Sequence, residues 1–479
     1  MKDASYLAIT ARRNEVMRQS VGINYDEFEI PPLAFDYEGL MEKAGYSLDE
    51  VYAIQREANV GNTPLIELKR LTKLVRKLAP QGKGARIFIK DEAANPAGSF
   101  KDRRASVSVY HAQLKGYKGV MAATSGNYGA AVASQAAKRG LKCIIVQETF
   151  DSHGLGQPEI VEKGRACEAY GAEVLQLTVG PELFITFLNV LDETGYFNAS
   201  LYTPFGIAGI ETLGHELVTQ LRKIEGQEPD IVLITHAGGG NVTGTARGVR
   251  QAGCQAKIVA VSVDLHGLHM ASDRDFNRKS FTTGHTGFGM PFITNPDRAD
   301  VPRNAARSLR YMDRYVTVTQ GEVFYITEAL AQLEGLERGA AGNTSLVAAL
   351  VLAQEMERDQ IVAVQETEYT GAGKHPSPQL TMARQMGIEI RRGNPTENVP
   401  GKAIVIPQHP EQIKVKDIDL SSLKQSYIRN AIASLKDPNE LTDENIRFLA
   451  EETRSDHEFV QQTVDSLLTT KEVRDAQRG

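Results

Sequence analysis

The sequence predicts an α/β protein built on parallel sheets, and three observations carry that expectation. Short runs rich in Val, Ile and Leu alternate with helical patterns through the middle of the chain. Most of these runs are continuously apolar, as strands covered on both faces require. Glycine-bearing loops follow several of them just where a helical pattern opens, the punctuation of βαβ units joined by right-handed crossovers. Strands are expected at 86–90, 119–124, 141–148, 173–179, 230–236, 257–264, 315–319 and 361–366. Helices are expected at 128–139, 158–170, 208–223, 322–336 and 343–356.

Before this body lies an arm of about sixty residues whose clearest signal is Ser47-x-x-Glu50, a capping box in which each side chain satisfies a backbone donor of the other residue. Beyond residue 394 the pattern changes: Pro395, Pro400, Pro407 and Pro410 punctuate a connector. A polar helical tail is then expected over about 442–468, packed on the body by one face. The 479 residues amount to about three domain equivalents, enough to bury a large core.

Composition excludes several function classes. A net charge of −6, spread along the chain, gives no footprint for nucleic acid or for a membrane surface. The first twenty residues hold no apolar run that suits a secretory signal, and the apolar stretch 346–353 is too short to span a bilayer. Cys143, Cys167 and Cys254 have no CxxC spacing, which argues against a disulfide framework or a thiolate metal site and for a reduced, cytoplasmic protein. Asp264-x-His266-x-x-His269 is a poor metal candidate, because Gly267 weakens the helix that would bring both imidazoles to one face. No metal is expected.

Four constellations carry chemistry. The first is Asn95-Pro96-Ala97-Gly98-Ser99-Phe100-Lys101-Asp102-Arg103, which follows a strand and opens a helix. Lys101 then falls in the first helical turn, where the macrodipole disfavours a cation and favours the neutral, nucleophilic amine. A solvated surface lysine is the plain alternative. The second is Thr124-Ser125-Gly126-Asn127 before an Ala-rich helix, a helix N-terminus able to hold a carboxylate on backbone amides and hydroxyls. Ser and Asn there are also ordinary caps. The third is Ala237-Gly238-Gly239-Gly240-Asn241, whose glycines let backbone approach a phosphate at the next helix N-terminus. Dinucleotide binding competes, but the third glycine of that fingerprint falls at Gly244 while its position holds Thr243. The fourth, Glu366-Thr367-Glu368-Tyr369-Thr370-Gly371, sets polar side chains at a strand's carboxyl end, where ligands of open α/β sheets bind. Arg103 and Arg104 have two fates open to them: pairing with acids, or meeting the phosphates of a ligand.

An amine, an amide, a phosphate cradle and a hydroxyl or carboxylate are together the set that pyridoxal phosphate demands. From Gly61-Asn62-Thr63-Pro64-Leu65 to Gly373, about two thirds of its length, the chain resembles the fold type II, tryptophan synthase β-like, pyridoxal-phosphate enzymes. The lysine motif is close to its threonine synthase form, although Arg104 stands where a small residue is usual. The resemblance implies two parallel-sheet, three-layer domains within 61–394, the smaller around 118–205, flanked by extensions at 1–60 and 395–479. It makes Lys101 the cofactor-bearing lysine, Asn127 the partner of the ring oxygen and 237–241 the phosphate loop. Thr370 faces the ring nitrogen by this likeness, with Glu366 and Glu368 as rivals, and Thr124, Ser125, Gly126 and Asn127 hold the substrate carboxylate.

The arm, 124–131, 237–248 and the loop Thr283-Gly284-His285-Thr286-Gly287-Phe288-Gly289-Met290-Pro291 are more similar to the β subunits of 2-amino-4-oxopentanoate thiolases. That likeness implies cleavage of this amino acid by coenzyme A, a small α subunit as partner and self-association of the β subunit. His285, in this loop of glycines and threonines, is a candidate for lining the mouth of the site or shaping acyl transfer, with a structural turn histidine as the favoured plain alternative. The alternative is a threonine synthase-like lyase acting by β/γ-replacement or elimination. No cysteine is needed for a thiolytic reaction whose thiol comes from coenzyme A, and packing is the expected role of all three.

Overall fold

The computed structural model describes residues 3–124, 126–150, 154, 156, 158–178, 182–200, 202–265, 303, 305–369, 376–433, 435 and 440–476. The expected positions Ser125, His285 and Thr370 lie outside these residues, as do His266 and His269. Two predominantly parallel sheets organise the chain. The larger runs, from edge to edge, through Lys416–Asp417, Arg314–Val318, Lys257–Val263, Ile231–Thr235, Ile361–Glu366, Arg86–Asp91 and Leu65–Glu67. Its five inner strands are parallel and the two edge strands antiparallel. The inner strands are apolar along almost their whole length because helices cover both faces.

The smaller sheet is parallel throughout, in the order Glu173–Thr178, Lys142–Phe150, Gly119–Thr124, Phe197–Asn198. Helices Asn127–Arg139, Pro158–Ala169 and Glu182–Thr194 connect its strands. The 22-residue helix Pro204–Glu225 then leads back to the larger sheet and packs against Lys101–Leu114 and Gly240–Gln251. Close approach is enforced at Gly214 and Gly248, where a β-carbon would overlap the backbone oxygens of Thr245 and Glu211 respectively.

The flanks are more ordered than the sequence pattern suggests. Among its described residues the N-terminal arm holds four α-helices, and the last, Leu48–Glu57, begins at the expected capping box: Glu50 N–H donates to Ser47 Oγ at 3.3 Å and Ser47 N–H to Glu50 Oε2 at 2.8 Å. The proline-marked connector contains a strand, Ala403–Pro407, paired in parallel with Glu389–Gly393. Pro407 is tolerated because each strand of this two-stranded sheet is an edge strand. The expected single tail helix is two, Asp443–Thr453 and His457–Ala476, divided at Arg454, whose backbone is left-handed (φ 47°). Ile446, Leu449, Val460 and Val464 of this tail are buried in the same apolar cluster as Met17, Leu40 and Val51 of the arm, so both flanks belong to the core. No helix among the described residues is long and apolar enough to cross a membrane.

Candidate functional site

Sheet order alone brings three of the four constellations to the carboxyl ends of neighbouring strands. Arg86–Asp91, Ile361–Glu366 and Ile231–Thr235 are adjacent and parallel, with Asp91 opposite Glu366 and Leu233 opposite Val364. The segments that follow their carboxyl ends are those carrying Lys101, Glu368 and the triple glycine. Hydrogen bonds then stitch them together. Phe100 N–H donates to Thr367 O at 3.0 Å, Tyr369 N–H to Gly98 O at 2.8 Å, and Gln365 Nε2 to Asn241 Oδ1 at 2.9 Å. The fourth constellation arrives from the smaller sheet, where Asn127 Nδ2 lies 3.4 Å from Glu368 Oε2.

Lys101 is the first residue of helix Lys101–Leu114, as its spacing predicts. Its amine is acidified to about 8, chiefly by burial and next by the Arg104 guanidinium, against the pull of Glu368; Lys163 adds to the acidification. The direction agrees with the sequence argument, but the causes are burial and neighbouring cations. Beside it, Asp102 accepts from Ala97 N–H at 2.8 Å, and its carboxyl is raised to about 7 by burial.

Arg103 takes the pairing fate. Its guanidinium forks onto Glu92 (Nε–Oε2 2.7 Å, Nη2–Oε1 2.8 Å) and also meets Glu216 at 3.1 and 3.2 Å. Glu216 further accepts from Lys90 Nζ at 2.5 Å and from the backbone amides of Asn62 and Thr63, each at 2.9 Å. This buried network ties the lysine helix to the strand before it, to helix Pro204–Glu225 and to the Gly61–Pro64 turn.

Thr124 Oγ1 accepts from the amides of Gly126 (3.0 Å) and Gly129 (3.1 Å), so the hydroxyl caps helix Asn127–Arg139 and keeps only its proton to offer a ligand. Asn127 Oδ1 is buried with no protein hydrogen bond, a carbonyl left for a ligand or a water to satisfy. Ala237–Gly239 form the turn between Ile231–Thr235 and helix Gly240–Gln251, with Gly239 left-handed at φ 86°. Side chains cannot be added there cheaply: a β-carbon on Gly238 would overlap the Tyr202 hydroxyl, one on Gly239 would lie 2.8 Å from Ser308 Oγ, and one on Gly240 would lie 2.7 Å from Arg104 Nη2.

Four residues at the site escaped sequence reasoning. Tyr202 comes from a loop and Ser308 from the short 3-10 helix Ser308–Arg310, both remote in sequence, and nothing in their surroundings marks them. Lys163, in helix Pro158–Ala169, carries its ammonium to within 3.5 Å of Ala97 O. Arg338 forms a two-pronged pair with Asp91, its Nε 2.7 Å from Oδ1. Glu366 is fully enclosed; burial, then the Glu368 and Asp91 carboxylates, raise its pKa well above the ordinary value despite Arg338. Its protonated form is therefore favoured relative to an ordinary carboxylate.

The model of the pyridoxal-phosphate dependent enzyme family matches residues 57–366. The chain belongs to that family. It is 66% identical over 467 residues to the 2-amino-4-ketopentanoate thiolase beta subunit of an unknown prokaryotic organism, covering 97% of this chain and 99% of that one. It is 63% identical over 466 residues to the protein of the same name from Acetoanaerobium sticklandii, with 97% and 99% covered. Among solved structures, a T.th. threonine deaminase superposes with a TM-score of 0.51 at 26% identity, covering 67% of this chain and 98% of that one. The residues gathered at these strand ends fit pyridoxal phosphate: an acidified amine, a glycine turn that side chains would fill, and an amide with a buried, unsatisfied oxygen.

Proposed function

We propose that this chain is the pyridoxal-phosphate subunit of an enzyme that cleaves 2-amino-4-oxopentanoate (2-amino-4-ketopentanoate) with coenzyme A to alanine and acetyl-CoA. The observation that carries the reading is near-full-length identity of 66% to a relative of that name, on a chain whose lysine motif opens a helix at the strand ends. In this reading 61–394 form the catalytic core and 1–60 and 395–479 its extensions. The name "beta subunit" supports a small α subunit as partner; self-association of this chain and a cytoplasmic setting complete the proposal.

The reaction breaks the C3–C4 bond of the substrate and forms a bond from C4 to the coenzyme A sulfur, while the thiol proton is replaced on C3. When bound, pyridoxal phosphate supplies an electron sink for the substrate's Cα. Lys101 holds the cofactor between turnovers and, once free, takes the Cα proton and returns one; an amine poised near 8 is suited to both directions. Asn127 meets the ring oxygen, residues 237–241 hold the phosphate, and Thr124, Ser125, Gly126 and Asn127 hold the substrate carboxylate. The ring nitrogen falls to Thr370, Glu366 or Glu368.

The deciding experiment reconstitutes the chain with its α subunit and follows acetyl-CoA formation from 2-amino-4-oxopentanoate and coenzyme A. Borohydride reduction should fix the cofactor on Lys101, and Lys101→Ala should abolish both the label and turnover. Phosphate release from O-phosphohomoserine without acetyl-CoA formation would overturn the assignment in favour of a threonine synthase-like lyase.

A further inference from the structure

We propose that Arg104 is a cofactor-binding residue whose guanidinium grips the phosphate of pyridoxal phosphate beside Gly240. The inference rests on reading 237–241 as the phosphate loop. Arg104 stands one turn into the lysine helix and is 3% exposed. Its guanidinium carbon lies 5.6 Å from the Phe100 ring centroid, a cation–π contact that orients the fork. The two terminal nitrogens flank Gly240: a β-carbon built there would lie 2.7 Å from Nη2 and 2.9 Å from Nη1. Gly240 is the first residue of helix Gly240–Gln251, so its amide is among those with no intrahelical acceptor. An anion placed on that helix end therefore meets the rigid, bidentate donor pair best matched to a phosphate.

The charge balance points the same way. Burial pushes Arg104 down to about 10, while the Tyr202 and Tyr128 phenols oppose that effect. A phosphate dianion at Gly240 would favour the charged form of the guanidinium against that effect of burial. Arg104 also lies close enough to Lys101 to acidify its amine, so a single guanidinium is near both points where the cofactor would be anchored.

The test titrates cofactor-free protein with pyridoxal phosphate and, separately, with pyridoxal, which has the same ring and aldehyde but no phosphate. Absorbance of the Lys101-bound chromophore reports binding, independent of turnover. Losing a charge-assisted contact predicts that Arg104→Gln raises Kd for pyridoxal phosphate about ten- to a hundredfold while Kd for pyridoxal stays within about twofold. Arg104→Lys, which keeps the charge but not the fork, should fall between. Equal weakening of both ligands would overturn the inference, because it would mark a packing role. Gly239→Val serves as the control on the loop. If it weakens pyridoxal phosphate selectively and Arg104→Gln does not, the inference fails and the loop reading stands; a raised KM for the amino acid in Arg104→Gln would then assign the guanidinium to the substrate carboxylate. If neither variant weakens pyridoxal phosphate selectively, both readings fail. Far-UV circular dichroism of each cofactor-free variant separates these outcomes from misfolding.

Discussion

Replacing Glu216 by Gln keeps the side chain's size and removes the charge that Lys90 and Arg103 share. The carboxyl is 8% exposed, so solvent does little to compensate the loss. Burial by itself would raise its pKa; Arg103 and Lys90 outweigh that and hold it at about 2 against an ordinary 4.5. At about 1.4 kcal/mol per pH unit, that gap amounts to roughly 3 kcal/mol, within the roughly 3–5 kcal/mol typically lost when one partner of a buried pair is removed. A depressed carboxylate pKa stabilises fully above the unfolded value, and the benefit is lost as pH falls from about 4.5 through about 2. Glu216→Gln should therefore unfold about 3 kcal/mol more easily than wild type at pH 7, with the difference shrinking to about 2 kcal/mol at about pH 3.5. The chain has no tryptophan, so urea unfolding of cofactor-free protein is best followed by far-UV circular dichroism. Equal midpoints at pH 7, or a difference that ignores acidification, would refute the account of the network.

Three further outcomes follow from the geometry. The rate at which cofactor-free protein captures pyridoxal phosphate should rise with pH to a midpoint near 8, since the neutral Lys101 amine is the nucleophile; Glu368→Gln, which removes a group that raises this pKa, should shift the midpoint down. A midpoint at the ordinary lysine value of 10.5 would refute the acidified amine. Leu449→Ala, in the tail but fully buried, should cost about 2–5 kcal/mol in urea unfolding, whereas a loss near zero would make the tail a detachable appendage. Cys143 and Cys167 are buried with thiols pushed up by burial, the latter to about 12, so native protein should resist alkylation; a Cys143→Ala, Cys167→Ala, Cys254→Ala triple variant should retain acetyl-CoA formation, and loss of turnover in a folded triple variant would refute the packing role.

The sheet strands were legible because strands buried on both faces must be apolar without interruption, and the observed Ile361–Glu366 and Gly119–Thr124 coincide with the expected runs. The start of the lysine helix was legible for a local reason too: Asn-Pro and Gly-Ser before a helical pattern mark a loop that ends. Contacts across long sequence separations were not. Nothing near Arg103 announces Glu216, 113 residues on, and nothing near Gly238 announces Tyr202. Ala403–Pro407 was hidden because its proline reads as punctuation until the strand's place in a two-stranded sheet is known. The capping by Thr124 was hidden for a similar reason, since only the folded turn shows its oxygen accepting from Gly126 and Gly129.

The adjacent pair Arg103 and Arg104 shows how one helix serves two purposes at the site. Consecutive residues on a helix project about 100° apart, so two arginines in sequence cannot share a partner face. Arg103 turns toward Glu92 and Glu216 and meets their carboxylates within the protein, which pins the helix to its strand. Arg104 turns toward Gly240 and Phe100. The first contact fixes where Lys101 begins its helix, and the second arginine adds to the acidity that burial chiefly gives its amine. The acidity that the cofactor chemistry needs thus arises from burial and from the arginine three residues along. Both effects depend on the helix being held against the sheet by the Glu92 and Glu216 carboxylates, so a change at Glu216, in a helix that supplies no group to the proposed chemistry, should also reach the amine of Lys101.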